Sequence, residues 1–370
     1  MLEFPTDNPS ILARLKAIDP GRYAKTRNYL NGAVTGLSPY LTHGVLGTRE
    51  VGEAAIRQGG YKAAESLLKE LAWHDFYAAS WCELGDMIFS DLRYPQPNKQ
   101  FTETPTTVLT AHTGITAIDQ SVSELLATGY LHNHSRLWLA MLCSTIARTA
   151  WWNPSRWMYY HLLDGNLASN TLSWQWVAGS SRSEPYIANQ ENLNTYSGIT
   201  QHQTFLDHSY EELAQLPVPE ILQARSSPQL ATVLPTTPLP TLTGEVLLYH
   251  PWSLSPSWYQ ESRLPRILLL EPDHFSRFPM SEKRINFILS LAKNISGLTL
   301  VVSNFTELSG SNPDAQFRFI QHPTTTHWNG VRETVEPLFR VKYPITSSWS
   351  FSKFWSKCSI TVMVNDKDYL

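Results

Sequence analysis

Through the first 215 positions, apolar residues recur at three- and four-residue spacings, the period of a helix that buries one face. The pattern predicts amphipathic helices over 51–58, 63–83, 114–128 and 135–150. Around Leu137 to Ala147 the chain is apolar on nearly every side, which places that helix at the centre of a bundle. From 216 to 243 the period disappears. Pro217, Pro219, Pro228, Pro238 and Pro240 stand among serines and threonines, the composition of an extended linker. Beyond it, short apolar runs at 246–250, 266–271, 298–303 and 317–321 read as buried strands, and 281–293 as a helix between them. The expected fold is an all-α helical bundle over 1–215, a linker over 216–243 and a small α/β domain over 244–370 with a mostly parallel sheet.

Length agrees with this division, because 370 residues exceed the ~250–300 at which single cores stop growing. Composition narrows the setting. Cys82, Cys143 and Cys358 are odd in number and far apart, so neither a disulfide framework nor a zinc site is indicated. The opening residues form no signal-peptide pattern and no apolar run reaches ~18 residues, so a cytoplasmic protein with no membrane partner is expected. A formal net charge of −3 gives no global attraction to nucleic acid.

The candidate chemistry lies in the helical part. Eight of thirteen tryptophans fall between Trp73 and Trp176, a density that a large aromatic core explains for most of them. Trp151, Trp174 and Trp176 fit that explanation less well. The last two follow Asp164-Gly165-Asn166-Leu167-Ala168-Ser169-Asn170, whose polar groups would need partners if buried and suit a bound heteroaromatic cofactor such as a flavin. Gly32 to Tyr40 supplies small residues, Thr35 and Ser38 before a helix, either as an anion cradle or as a helix start with Ser38 at the N-cap and Pro39 behind it. Glu70, Trp73, His74 and Tyr77 occupy neighbouring parts of one helical face. Arg136, which follows His132, Asn133 and His134, has the charge to pair with Asp164 across the bundle. The two histidines diverge on a helix and no third ligand stands nearby, so no metal is expected.

Taken in order, Leu37-Ser38-Pro39-Tyr40-Leu41, Glu70-Leu71-Ala72-Trp73, the stretch from Thr113 to Asp119, His132-Asn133, Arg136, Asp164 to Asn170 and Trp174-Gln175-Trp176 resemble the photolyase/cryptochrome superfamily over about residues 20–187. The resemblance implies FAD bound in a helical domain. It places Tyr23, Thr35, Gly36, Leu37 and Ser38 along the phosphates and ribityl chain. His74, Asn133, Arg136, Asp164 and Asn166 would surround the cofactor, with Asn170 at flavin N5. Glu70, Trp73, Asn133 and Trp176 would form the pocket for a flipped pyrimidine dimer. Trp174 and Trp151 match the first two members of an electron-transfer chain whose third tryptophan is missing, with Tyr94 or Trp152 as substitutes.

The implied activity is that of a DNA photolyase, a carbon–carbon lyase splitting cyclobutane pyrimidine dimers by electron transfer from excited reduced flavin. The alternative is a cryptochrome-like blue-light photoreceptor signalling to a protein partner. Several positions depart from the family. The usual antenna-binding α/β domain does not precede the helices, which leaves an antenna chromophore without its usual seat, and an α/β-like segment follows instead. His134 and Ile187 stand where the family has arginines. Residues 1–215 hold 15 Lys+Arg against 20 Asp+Glu. Fewer phosphate contacts mean weaker duplex binding, and the expected preference is for single-stranded or distorted DNA.

Overall fold

A computed structural model describes residues 2–341 and 350–360, with backbone alone for 340, 341 and 358–360. The remainder of the expected C-terminal domain, 342–349 and 361–370, lies outside the described residues.

The first part is helical: α1 (Asn8–Lys16), α2 (Pro20–Thr26), α3 (Ser38–Thr42), α4 (Thr48–Leu84), α5 (Thr106–Leu109), α6 (Thr116–Thr128), α7 (Asn133–Met141), α8 (Trp152–His161), α9 (Leu167–Ala178), α10 (Gln190–Ser197) and α11 (Tyr210–Leu213). The two helices expected at 51–58 and 63–83 follow each other directly within α4, separated by a kink at Gly60, whose φ of 72° and ψ of 166° are open to glycine. The helix expected to run to 150 is α7, which widens into a π-turn over Leu142–Ile146 and then stops. At α3 the N-cap is Leu37 with no side-chain cap, so Ser38 is the first helical residue rather than the cap.

Two two-residue strands, β1 (Thr104–Pro105) and β2 (Arg225–Ser226), pair antiparallel and tie the start of the linker to the helices. Apart from a 3-10 turn at Glu220–Leu222, the rest of the linker is irregular. After it come β3 (Gly244–Tyr249), β4 (Arg266–Leu270), α12 (Pro272–Arg277), α13 (Glu282–Ala292), β5 (Leu298–Val302), α14 (Phe305–Gly310), β6 (Ala315–Ile320) and β7 (Val331–Glu333). These five strands make a parallel sheet in the order β5-β4-β3-β6-β7. The four apolar runs are β3 to β6. The fifth strand, β7, is a short edge of exposed or half-buried residues that no apolar run announces. β8 (Phe339–Val341) and β9 (Cys358–Ile360) pair antiparallel, with α15 (Phe351–Lys357) before β9.

Side chains alternate across the sheet as strand geometry requires. Val246, Leu248, Ile267, Leu269, Phe317 and Phe319 turn to one face, where Phe305 and Leu308 of α14 and Trp328 cover them. Leu247, Tyr249, Leu268 and Leu270 turn to the other. There they join Phe287, Ile288 and Leu291 of α13 and, across the expected boundary, Leu37, Tyr40, Leu163 and Leu167. The linker therefore separates two stretches of sequence but not two cores. A second apolar cluster, around Trp138, Trp151, Trp157 and Trp174, is built by the helical half and Leu222 of the linker, with no residue of the sheet.

The two halves interlock at His43-Gly44. The His43 carbonyl accepts from Leu254 N at 2.9 Å. Gly44 has φ +63°, and a Cβ there would lie 2.4 Å from the Trp252 carbonyl oxygen, which is backbone and cannot swing away. Gly44→Ala is expected to destabilise the protein by about 3 kcal/mol, from left-handed strain plus the forced separation. A urea midpoint that falls at unchanged slope checks it.

Candidate flavin site

The centre of the site is the turn that joins α8 to α9. Arg136, on α7, sends Nη2 to both carboxylate oxygens of Asp164, at 2.9 and 2.7 Å. Its Nε donates to the Leu131 carbonyl at 2.9 Å. Asp164 is buried, with its side chain 2% exposed against 24% for Arg136, so the pair forms mostly away from water. Pairing of these two charges was legible in the sequence. What holds the turn's backbone was not: Thr42 Oγ1 donates to the Asp164 carbonyl at 3.1 Å, and His43 Nε2 lies 2.9 Å from the Leu163 carbonyl oxygen.

Asn166 starts α9 as its N-cap, its side-chain oxygen accepting from Ser169 N at 3.0 Å. One turn later Asn170 donates Nδ2 to the Ser155 carbonyl at 3.0 Å, while its Oδ1 is buried without a protein partner. Trp174, 1% exposed, likewise buries Nε1 unpartnered. Buried polar atoms left in that state cost roughly 1–3 kcal/mol each, so Asn170 and Trp174, one turn apart on α9, each keep a polar atom available to a bound group. Trp176 lies half-buried beneath the Arg182 guanidinium, 4.7 Å from its ring centre, and beside Tyr186 at 5.9 Å.

A cavity of about 1150 Å³ opens between α1, α2, α6 and the start of α7. Tyr23 and Thr35 of the expected residues line it, together with Arg14, Arg22, His132 and Ser135. Gly36, at φ +61°, lets Arg14 Nη1 reach the Gly36 carbonyl at 3.3 Å, since a Cβ would sit 2.5 Å from that nitrogen. Leu37 is fully buried in the core and Ser38 half-buried. Asn133 is exposed at the first position of α7, and its neighbours His132 and Ser135 reach the cavity wall instead. Asn170 lies apart from this cavity on a crevice of only about 10 Å³, closed by Tyr159, Phe278 and Pro279. That crevice holds no ring.

The residues of α4 turn to different neighbours. Glu70 pairs with Arg27 at 2.8 Å, and its burial raises the carboxyl above its ordinary range while Arg27 opposes the rise. Burial and the Glu70 charge push the Tyr23 phenol up. Trp73 stacks on Phe351 of α15, ring centres 3.8 Å apart and planes within 10°. His74 encloses an unpartnered Nε2, and burial lowers its pKa to about 4. Tyr77 accepts from Ser173 Oγ of α9 at 3.4 Å. Trp73 and Trp176, expected to wall one pocket, thus pack into different surroundings.

Trp151 is 4% exposed and donates its indole N–H to Asp91 Oδ1 at 2.7 Å. Trp152 meets it edge-on at 5.6 Å and in turn lies 5.6 Å from Phe89. Tyr94, by contrast, is 48% exposed and has no ring contact with Trp151 among the described residues. Arg14 escaped the sequence reading because nothing in the chain links α1 to the site, and Arg22 escaped it although the resemblance places its neighbour Tyr23 there. Arg284 of α13 also escaped it, although a signal existed: it falls in register with Phe287, Ile288 and Leu291, an arginine set in an apolar stripe.

Residues 67–235 match the family model described as the FAD binding domain of DNA photolyase. Over 150 residues the chain is 29% identical to the deoxyribodipyrimidine photo-lyase of Streptomyces griseus, covering 40% of this chain and 32% of that protein. It is 32% identical over 166 residues to the photo-lyase of Thermus thermophilus, covering 43% and 38%, and 28% identical over 193 residues to cryptochrome DASH of Oryza sativa, covering 47% and 32%. Among solved structures, the cryptochrome of Synechocystis is similar at 25% identity with a TM-score of 0.49, over 60% of this chain and 49% of that one. The chain spans about a third of the length of these curated relatives. The matched stretch belongs to the photolyase/cryptochrome superfamily, and the cofactor of that domain is FAD.

The side chains present suit FAD at the phosphate end, while at the other end an acceptor is free but its crevice is closed to a ring. Arg14, Arg22, Thr35 and Ser135 offer cations and hydroxyls to a diphosphate and its sugars, and Asn170 Oδ1 is an acceptor without a partner. Among the described residues no helix is long and apolar enough to cross a membrane.

Proposed function

We propose that this chain is a light-driven flavoprotein of photolyase type whose substrate is a cyclobutane pyrimidine dimer in DNA. The observation that carries the reading is α9, which lines up Asn170 Oδ1 and Trp174 Nε1, both buried and unpartnered, behind the Arg136–Asp164 pair. When bound, FAD supplies electron donation from its photoexcited reduced form. The chain's own residues do the rest. Arg136 holds Asp164, and with it the start of α9, at a fixed place; Arg14, Arg22, Tyr23 and Thr35 bind the phosphate-bearing end. Asn170 would offer its acceptor to N5 once the crevice closed by Phe278 and Pro279 widens, and Trp174, Trp151 and Trp152 are the one-electron donors, the last two in edge-on contact. Glu70 and Trp73 remain the residues for a base. The photo-lyase names of several relatives support the substrate, and the acidic balance of residues 1–215 is consistent with weak duplex binding.

One observation favours a second reading, a cryptochrome-like photoreceptor. Phe351 already occupies the stacking face of Trp73, which a dimer would need. Blue light on the reduced holoprotein with dimer-bearing oligonucleotides, single- and double-stranded, decides between them, run on the full chain and on Phe351→Ala. Loss of dimer in either protein supports repair. Photoreduction of the flavin without dimer loss in both overturns it in favour of the photoreceptor.

A further inference from the structure

We propose that Arg284, on the far side of the linker, is a positioning residue of the flavin site: it fixes the turn that carries Asp164 and launches α9. The side chain is fully buried and of the largest in the core, yet it comes from an amphipathic helix whose other inward residues are apolar. Its Nη1 donates to the Tyr159 carbonyl at 3.0 Å and its Nη2 to the carbonyl of Gly165, the residue between Asp164 and the N-cap Asn166. Its guanidinium lies over the Tyr159 ring at 4.4 Å. Gly165 is shaped for it, since a Cβ there would come within 2.6 Å of Nη1.

Three successive carbonyls of the turn are thereby taken. Leu163 faces His43, Asp164 accepts from Thr42, and Gly165 accepts from Arg284. Of these partners only Arg284 lies beyond residue 243. The first turn of α13 makes the same kind of contact next door. Ser281 N donates to the Tyr160 carbonyl at 3.0 Å, and Lys283 Nζ donates to Leu126 and Ala127 carbonyls at 2.8 and 2.5 Å. Two cations thus sit on the carbonyl ends of α6 and α8, where the helix dipoles favour them. Burying a guanidinium is costly, and an apolar residue at this position would dock α13 at less cost. What an apolar residue cannot do is hold the Gly165 carbonyl, and through it the direction in which α9 presents Asn170 and Trp174. The sheet half is on this view part of the flavin site and not an appended module. The inference depends on FAD binding alone and stands apart from the choice between repair and signalling.

The test uses holoprotein and reads FAD release by the rise of free-flavin fluorescence, together with the flavin reduction potential. Ile288→Ala, in the same helix and fully buried, is the control for a merely structural loss. Arg284→Met is expected to speed FAD release about 10-fold or more, the scale on which outer partners of a ligand site act, and to move the potential. Arg284→Lys is expected to fall between it and wild type, and Ile288→Ala to change release less than twofold at a similar loss of thermal midpoint. Where Arg284→Met does not accumulate, Arg284→Ala supplemented with millimolar guanidinium is expected to regain slow release. Release and potential in Arg284→Met that match Ile288→Ala overturn the proposal, as does an Arg284→Ala protein whose flavin release ignores guanidinium.

Discussion

Moving the protein from pH 7 to pH 5 at constant ionic strength is expected to lower its unfolding free energy by at least about 5 kcal/mol, a drop on the scale of the whole stability of many domains. The cause is histidine held neutral in the fold. His43 and His250 are almost wholly buried and His132 nearly so, and burial lowers each to about 4. At His43 the Arg284 charge adds to the depression, and the two carbonyls that face its ring nitrogens do not outweigh it. A folded pKa below the unfolded value of about 6.5 means that the unfolded chain binds more protons as the pH falls. The stability is therefore present above pH 6.5 and lost between there and pH 4, at about 2 kcal/mol per ring by pH 5. Asp75 works the other way. Burial raises it to about 6, so its carboxylate costs stability at neutral pH and returns about 1 kcal/mol on acidification. Urea denaturation at pH 7, 6 and 5 measures the slope, and a midpoint that holds steady to pH 5 refutes the assignment of these rings as neutral.

Breaking the Arg136–Asp164 pair is expected to be among the most damaging single substitutions in the helical half. Asp164→Asn leaves the Arg136 charge three-quarters enclosed and without its counter-ion. Orphaning one member of a buried pair costs ~3–5 kcal/mol, and the residual exposure of Arg136 places this case near the lower figure, about 3 kcal/mol. Arg136→Met in the same protein removes the orphaned charge as well, so the double variant is expected to be more stable than the sum of the two single losses by at least ~1 kcal/mol. Urea midpoints of the four proteins close the cycle, and additivity within ~0.5 kcal/mol would mean that the two charges do not interact. FAD content falls in both single variants on the same reading.

The residues show what a chain reveals of itself and what it keeps back. β3 and β4 are buried on both faces and read as continuous apolar runs, while β5 and β6 are partly exposed and keep enough apolar residues around Thr299, Gln316 and Arg318 to be recognised. β7 has three residues at an edge and offers no such run. Strand order is a matter of crossovers, not of composition, and stays hidden. In the site, Arg136 and Asp164 were legible because opposite charges inside an apolar bundle have to find one another. Trp73 was legible as an aromatic on the same face as Glu70, but its stacking partner Phe351 lies 278 positions later and nothing near Trp73 signals it. Asn166 was read as a cofactor contact, and in the fold its side-chain oxygen caps α9, a role that the same amide group fills with equal ease. The core that crosses the linker was hidden for a simpler reason: the proline-rich stretch interrupts the period of the chain without interrupting the packing of its ends.

The contact between Arg284 and Gly165 also sets a clock. The two residues are 119 positions apart, so a ribosome working at ~5–20 residues per second finishes the turn some ~6–24 s before it makes the guanidinium that holds it. Throughout that interval the nascent helices carry Asp164 and Asn170 on an unfastened loop. On the inference that Arg284 positions the flavin site, stable flavin capture waits until α13 has emerged, and a nascent chain arrested before residue 284 would show little of the holoprotein's colour.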